Sequence, residues 1–222
     1  MRCEDVARTF GAGPTATVAL QATNCEVLVG QRVALVGPSG SGKSTLLHLM
    51  AGLDDPTVGE VSWPSIGTRE QLRPGRVAVI FQGPSLLPPL TVLENASLPL
   101  VMGGMTDQEA REVAHAALRA LDLHDLADKL PEEISGGQAQ RVAVARALAG
   151  EPSLILADEP TGQLDHANGA AVVDVLLAAS EHAGSALVIS THDLSVAERL
   201  PEHWEMHSGE LQINTRETTW SR

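Results

Sequence analysis

The sequence predicts an α/β fold with a mostly parallel β-sheet, and the pattern of apolar runs is the main reason. Runs that are apolar on both faces are typical of parallel strands covered by helices on either side. Four such runs lie at residues 33–36, 77–81, 154–157 and 186–190. A helix is predicted over about 167–182, between the last two runs, and this alternation indicates a parallel sheet.

The middle of the chain has a helical pattern instead. Residues 106–109 form a capping box before apolar residues at helical spacing, and a second helix is predicted over about 137–149. No convincing strand lies between these helices. We therefore predict one domain in which residues 88–150 form a helical insert and residues 1–87 and 151–222 form the α/β part. The N-terminal segment is expected to form short strands and turns beside it.

Composition narrows the classes of partner. The 222 residues carry a net charge of −13, which disfavours a nucleic-acid groove and direct adhesion to an anionic lipid surface, because both need basic surfaces. No apolar run approaches the roughly 18 residues that span a bilayer, and the start lacks a secretory signal pattern. A cytosolic protein is expected. Cys3 and Cys25 lack metal-ligand spacing, so two reduced thiols are favoured over a disulfide or a metal site.

The strongest motif follows the first apolar run and fits the phosphate-loop pattern Gly-x4-Gly-Lys-[Ser/Thr]. A strand, a glycine loop and a helix start together provide a cradle of backbone N–H groups for a polyphosphate. Lys43 is expected against the β- and γ-phosphates, and the Ser44 hydroxyl is expected on Mg²⁺. A chance Gly/Ser-rich turn is disfavoured by the flanking strand and helix. The residues predicted to bind nucleotide here are Gly37, Pro38, Ser39, Gly40, Ser41, Gly42, Lys43, Ser44 and Thr45.

Two adjacent acids end the third apolar run. In a phosphate-loop protein an acid at this strand end can hold Mg²⁺, directly or through water. Because successive strand residues point to opposite faces, the two acids can have different tasks. Asp158 is the predicted metal-side acid, and Glu159 is the predicted group that polarises the attacking water. The alternative is a solvated turn after a strand, which the upstream phosphate loop disfavours.

A second glycine-rich element opens the helix predicted near residue 137. Its serine can cap that helix while two glycines leave backbone N–H groups exposed, which makes a second phosphate-binding surface. A lone element of this composition is a weak signal, but its place before a helix and ahead of the acidic strand strengthens it. The residues predicted to bind nucleotide here are Ser135, Gly136, Gly137 and Gln138.

Together these motifs resemble the nucleotide-binding subunit of an ABC transporter over nearly all of the chain. Three further matches support the resemblance: Gln82 at the family's Q-loop, residues 161–165 at its D-loop, and His192 at its switch histidine. The resemblance implies a RecA-like phosphate-loop NTPase lobe with a parallel-sheet core, an N-terminal antiparallel β subdomain and an inserted α-helical subdomain. It also implies ATP and Mg²⁺ as cofactors.

The resemblance further implies roles for single residues. Gln82 is expected to contact the metal or water and to sense a membrane partner. His192 is expected to contact the γ-phosphate and to hold the water and Glu159 in place. Asp165 is expected at a dimer interface, where ATP lies between the phosphate loop of one subunit and the serine-glycine signature of the other. Phe10 is expected to stack on adenine, although a lone Phe is more often a core residue.

The amino-acid sequence of residues 86–100 and 157–162 most resembles that of the lipoprotein-releasing, macrolide-export and cell-division ATPases. That branch pairs with permeases of few transmembrane helices and large external domains, and it implies export or extracytoplasmic mechanotransmission. The expected assembly is a homodimer, or a dimer with a close relative, held at the inner face of the cell membrane by its permease. Ile134 and Gln163 depart from the branch pattern, and the segment 59–82 is shorter than usual.

Two other functions remain open at this point. One is a non-transport ATPase of the same fold that acts on nucleic acid or the ribosome. Such proteins generally carry a coiled-coil insertion or two linked cassettes, and this chain has neither pattern. The other is a nucleotide-sensing module with negligible turnover, which the intact acid pair and His192 disfavour.

Overall fold

The computed structural model describes residues 1–83 and 85–214, and the remaining residues of the predicted domain, 84 and 215–222, lie outside the described residues. The described strands are β1 (Arg2–Phe10), β2 (Thr17–Glu26), β3 (Arg32–Val36), β4 (Val58–Ser62), β5 (Val77–Ile80), β6 (Leu154–Asp158), β7 (Ala186–Thr191), β8 (Glu202–His207) and β9 (Glu210–Asn214). The described α-helices are α1 (Lys43–Met50), α2 (Val92–Met102), α3 (Asp107–Arg119), α4 (Gly136–Leu148), α5 (His166–Ala183) and α6 (Leu194–Ala197).

The larger sheet has six strands in the order β5-β6-β7-β3-β8-β9, and all but β9 run parallel. Every residue of β6 and β7 is buried, as the near-continuous apolar runs predict. Two apolar clusters occupy opposite faces of this sheet, since successive strand residues such as Leu154 and Ile155 fall in different clusters. The predicted α/β fold class is confirmed.

The strand order explains how distant motifs meet. The neighbours β5, β6, β7 and β3 end respectively before Phe81, at Asp158, before His192 and before Gly37. Parallel strands place their carboxyl ends at one edge of the sheet, and ligands of open α/β sheets bind outside that edge. The fold therefore delivers four of the predicted motifs to one edge.

A second, antiparallel sheet has the order β2-β1-β4. The expectation of short N-terminal strands was wrong in length, because β1 has 9 residues and β2 has 10. Their apolar alternation is broken by irregular pairing between Cys3 and Val6, where Asp5 has a φ of 49°. A strand with such an irregularity is not predicted at its full length when strict alternation of apolar and polar residues is required.

The described α-helices between β5 and β6 are α2, α3 and α4. The two predicted helices are confirmed, whereas α2 was not predicted from the sequence. Thr91 and Glu94 form a capping box at its start, which is the signal that could have found it. Pro99 inside α2 conceals the helical pattern.

The boundaries of the helical insert and of the α/β part stay a prediction. Within residues 1–83 and 85–214, no helix is both long and apolar enough to cross a bilayer.

Candidate active site

The phosphate loop leads directly from β3 into α1. Gly42 is the N-cap of α1 with a φ of 109°, and a Cβ there would lie 2.5 Å from the backbone oxygen of Ala19. Only glycine fits that combination of a left-handed backbone and close contact. Lys43 bends back over its own loop, and its Nζ donates to the carbonyls of Gly37 at 2.8 Å and Pro38 at 3.0 Å. The loop thus holds a buried cation at its centre.

The two acids after β6 point to different partners. Asp158 accepts a hydrogen bond from the Ser190 hydroxyl, and the same hydroxyl accepts from the Glu159 backbone N–H at 3.1 Å. Glu159 has a φ of 44°, a conformation that costs a side-chain-bearing residue about 1–3 kcal/mol and is concentrated at functional sites. This turn takes Glu159 out of strand geometry and aims its carboxylate towards the phosphate loop.

Glu159 joins three motifs through its carboxylate. Its Oε1 lies 3.5 Å from Lys43 Nζ, and its Oε2 lies 2.8 Å from His192 Nδ1. The side chains of Lys43 and Glu159 are 4% and 10% exposed, whereas that of His192 is 64% exposed. The predicted base, switch histidine and phosphate-loop lysine therefore form one connected cluster, with the histidine ring on its solvent side.

Gln82 follows the end of β5 and is exposed, and no hydrogen bond of its side chain appears among the described residues. The segment that carries it is fastened to α4. Gln140 Nε2 donates to the Phe81 carbonyl at 3.1 Å, and Arg146 donates to the Ser85 carbonyl and hydroxyl, each at 2.7 Å. Sequence reasoning missed Gln140 and Arg146, although both lie on the helix that the signature opens.

The signature tip has the capping geometry that the sequence predicts. Ser135 Oγ accepts from the Gln138 backbone N–H at 3.2 Å, and Gln138 Oε1 accepts from the Ser135 N–H at 2.8 Å. A Cβ at Gly137 would lie 3.1 Å from Leu164, so the tip packs against the predicted D-loop of the same chain. No hydrogen bond or ion pair in the described part of the chain joins residues 135–138 to the phosphate loop.

Asp165 and Phe10 lie outside this cluster. Asp165 is the N-cap of α5, and hydrogen bonds from the backbone and side-chain nitrogens of Asn168 hold the pKa of its carboxyl below the usual range. Phe10 ends β1 and is 44% exposed, with the Arg8 guanidinium 4.6 Å from its ring centre. One ring face thus has a cation over it, and the exposed fraction leaves surface for a further contact.

Cys3 and Cys25 are directly opposite each other in the β1–β2 pair, and both are buried and free. A hydrogen bond with the Cys3 thiol and burial both raise the pKa of Cys25. A raised pKa keeps this thiol protonated and poorly nucleophilic. The pair is therefore part of the packing of the smaller sheet, away from the cluster around Glu159.

Comparison with known proteins agrees with this geometry. The profile of the family described as ABC transporter matches residues 20–162. The chain is 41% identical over 211 residues to the lipoprotein-releasing system ATP-binding protein LolD of Legionella pneumophila strain Paris, covering 92% of this chain and 93% of that protein. LolD of strain Lens is 40% identical over the same coverage. This chain belongs to the ABC transporter ATP-binding family.

Two solved structures give the same result. The dimeric structure of MJ0796, a bacterial ABC transporter cassette, has a TM-score of 0.88 and 37% identity, and the match covers 96% of this chain and 97% of that one. A post-hydrolysis dimer of MJ0796 bound to ADP and Pi has a TM-score of 0.85 at 34% identity over the same coverage. This ABC cassette accordingly binds ATP with Mg²⁺ and hydrolyses it to drive transport.

The residues present fit these groups. The Ser41 hydroxyl is buried with no hydrogen-bond partner in the described chain, and a buried polar group of this kind calls for a ligand or water. Lys43, two residues further along the chain, offers a buried positive charge. Ser44, Asp158 and Gln82 provide oxygen atoms of the kind that Mg²⁺ prefers. When bound, Mg²⁺ neutralises charge on the phosphate oxygens.

Proposed function

We propose that Glu159 is the base that accepts a proton from the attacking water, and that His192 holds it in position. The observation that carries this assignment is the pair of contacts from one buried carboxylate to Lys43 and His192. Lys43 binds phosphate oxygens, and the exposed side of the His192 ring contacts the γ-phosphate. Ser44, Asp158 and Gln82 hold Mg²⁺, and Asp158 is oriented for this by its hydrogen bond from Ser190.

A second subunit completes the site in this proposal. The signature tip, residues 135–138, is exposed or half-buried and is not joined to its own phosphate loop by any hydrogen bond in the described chain. Two copies in head-to-tail arrangement let each tip meet the nucleotide of the other, with Asp165 at the contact. Phe10 stacks on adenine. The dimeric structure of the relative MJ0796 supports the presence of a second subunit.

The permease docks in the groove between the helical insert and the parallel sheet. This groove has a volume of about 420 Å³ and mostly apolar walls that include Phe81, Leu98 and Met102. Met102 is 68% exposed, a high fraction for so large an apolar side chain. Arg73 also lines the groove, so an apolar helical segment with an acidic residue is the occupant that fits. Phe81 places this occupant next to Gln82.

The transporter works by export or by extracytoplasmic mechanotransmission, with the ATPase held at the inner face of the membrane by its permease. The identity to proteins named for lipoprotein release supports a permease of few transmembrane helices and a large external domain. Lipid-anchored protein is the cargo class that this relationship favours.

Reconstitution tests the proposed function. The chain and a candidate permease with few transmembrane helices and a large external domain are placed in proteoliposomes that carry a fluorescent acylated lipoprotein, and ATP-dependent release is measured. We expect release with the native ATPase and none with Glu159→Gln. Met102→Glu is expected to abolish co-purification with the permease while the basal ATPase rate of the isolated chain is kept. Val58→Glu, at a similarly exposed apolar residue (60%) on β4, is the matched control. Release that continues without ATP hydrolysis would contradict the proposal.

A further inference from the structure

The tight turn between β8 and β9 lies directly against the phosphate loop. The backbone N–H of Gly209 donates to the Ser41 carbonyl at 2.8 Å, and the Gly209 carbonyl accepts from the Gln21 N–H at 2.8 Å. One glycine therefore joins the phosphate loop on one side and β2 on the other. Nothing in the site described above uses this glycine.

The three segments meet through their backbones. A Cβ at Gly209 would lie 3.1 Å from the Ala19 carbonyl oxygen, the same atom that excludes a side chain from Gly42. A Cβ at Gly37 would lie 2.2 Å from the carbonyl oxygen of Met206, the next-to-last residue of β8 before the turn. Because no side chain separates the segments, direct backbone contact sets the spacing between them.

The turn has little conformational freedom. His207 pairs with Glu210, so Ser208 and Gly209 form a two-residue loop, and their φ values are 47° and 79°. Positive φ at both positions is the geometry of a type I′ hairpin turn, which favours glycine at its second position. The turn is thus a short, rigid element that can hold β2 and the phosphate loop at a fixed distance.

The strand on the far side of the turn leads to the base-stacking residue. Phe10 on β1 pairs with Thr17 on β2, two residues before Ala19. Ala19 is the residue wedged against both Gly42 and Gly209. The distance from the Phe10 ring to the phosphate loop is therefore set where β2, the turn and the loop meet.

We propose that the β8–β9 turn, through Gly209, is a positioning element that fixes the spacing between the adenine-stacking ring and the phosphate loop. The base-stacking role proposed for Phe10 underlies this assignment. Two subsites held at the spacing of one ligand bind it more tightly than either does alone, because binding at one raises the effective concentration at the other. Loosening the spacing removes that advantage and leaves the phosphate subsite intact.

Binding of Mg-ADP and Mg-pyrophosphate by isothermal titration calorimetry tests this, because the two ligands differ by the adenosine. Gly209→Ala forces β2 away by a few tenths of an ångström, and we expect the ADP affinity to fall about tenfold with little change for pyrophosphate. Gly184→Ala is the matched control, since Gly184 has a φ of 64° and no atom within 4 Å of the added Cβ. We expect the control to change neither affinity.

A second variant covers the case in which Gly209→Ala does not fold. Gln21 Nε2 donates to the Ser208 carbonyl at 3.1 Å, so Gln21→Ala removes a tie between β2 and the turn without adding strain. We expect a smaller selective loss of ADP affinity. Equal losses for both ligands, or the same behaviour as Gly184→Ala, would overturn the positioning role.

Phe10→Ala separates this inference from the function beneath it. We expect about a tenfold loss for ADP and none for pyrophosphate, in line with the usual contribution of base stacking. Unchanged ADP affinity in Phe10→Ala would overturn the stacking role and the positioning role together. If Phe10→Ala loses ADP affinity but the Gly209 and Gln21 variants show no selective loss, only the positioning role of the turn is overturned.

Discussion

Replacing Glu159 by Gln tests the centre of the site, because the two side chains have nearly the same shape and differ in charge. The amide cannot accept the proton of the attacking water. A positioned general base contributes about 10²–10⁴ to a rate, so we expect hydrolysis to fall at least about 100-fold. Steady-state phosphate release measures this loss. ATP-bound dimers are expected to accumulate, which size-exclusion chromatography with MgATP detects.

The ion pair between Glu159 and Lys43 gives an independent estimate of how much stability the Glu159→Gln variant loses. At the 3.5 Å between Glu159 Oε1 and Lys43 Nζ, the gross attraction is about 5 kcal/mol for an effective dielectric constant of about 20. Desolvation offsets much of this. The lysine also keeps its two carbonyl acceptors, so we expect the nucleotide-free variant to lose only about 1–2 kcal/mol of stability. In a chain of this size that lowers the Tm by a few degrees.

Nucleotide is expected to remove this deficit, because phosphate replaces Glu159 as the partner of Lys43. The rise in Tm on adding MgATP is therefore larger in Glu159→Gln than in the native chain. Glu151→Gln is the matched control, since Glu151 has the same φ of 44° and lies exposed after α4. Phosphate release within about tenfold of the native rate would refute the base assignment. A Tm deficit that persists with MgATP would refute the charge argument.

Further predictions concern helix caps and pH. Ser135→Ala and Thr106→Ala each remove an N-cap worth about 1 kcal/mol of unfolding free energy, yet only the Ser135 change is expected to lower the ATPase rate. Denaturant unfolding and phosphate release measured on both variants check this, and equal ATPase rates would contradict the signature role. Asp165 has a lowered pKa in the folded chain, so its stabilising effect is present above the usual carboxyl pKa of about 4 and is lost as pH falls through the lower folded value. The stability difference between the native chain and Asp165→Ala is therefore expected to be larger at pH 7 than in strong acid, as measured by denaturant unfolding without nucleotide.

The motifs were predictable because short-range spacing defines them. A phosphate loop needs only a strand, eight residues in order and a helix start, and all of these are visible in the sequence. Asp158 could be predicted as a metal-side acid because it ends an apolar strand downstream of a phosphate loop, whereas His192 was predicted only through the resemblance to the ABC family. The order of the strands then decided that their side chains meet, and strand order is not written in any local pattern.

Long-range backbone contacts could not be predicted. The hydrogen bond from Gly209 to Ser41 depends on where β8 and β9 pack, and that hairpin was absent from the sequence analysis. β8 buries only Trp204 and Met206 and is otherwise polar, so its apolar signal is weak. The positive φ of Glu159 was also invisible, because glutamate in that conformation is held by its surroundings and not by its own preference.

The segment after β5 links the proposed permease groove to both halves of the catalytic apparatus. Phe81 lines the groove, and its carbonyl accepts from Gln140 on the helix that the signature opens. Arg146 on the same helix holds Ser85, so the segment is tied to α4 at two points on either side of Gln82. A partner that displaces this segment must therefore move α4 with it or break these hydrogen bonds. Because Gln82 lies between the two ties, we expect one displacement to reach both Gln82, the proposed metal ligand, and the helix that the signature opens, which is the coupling that a transport ATPase requires.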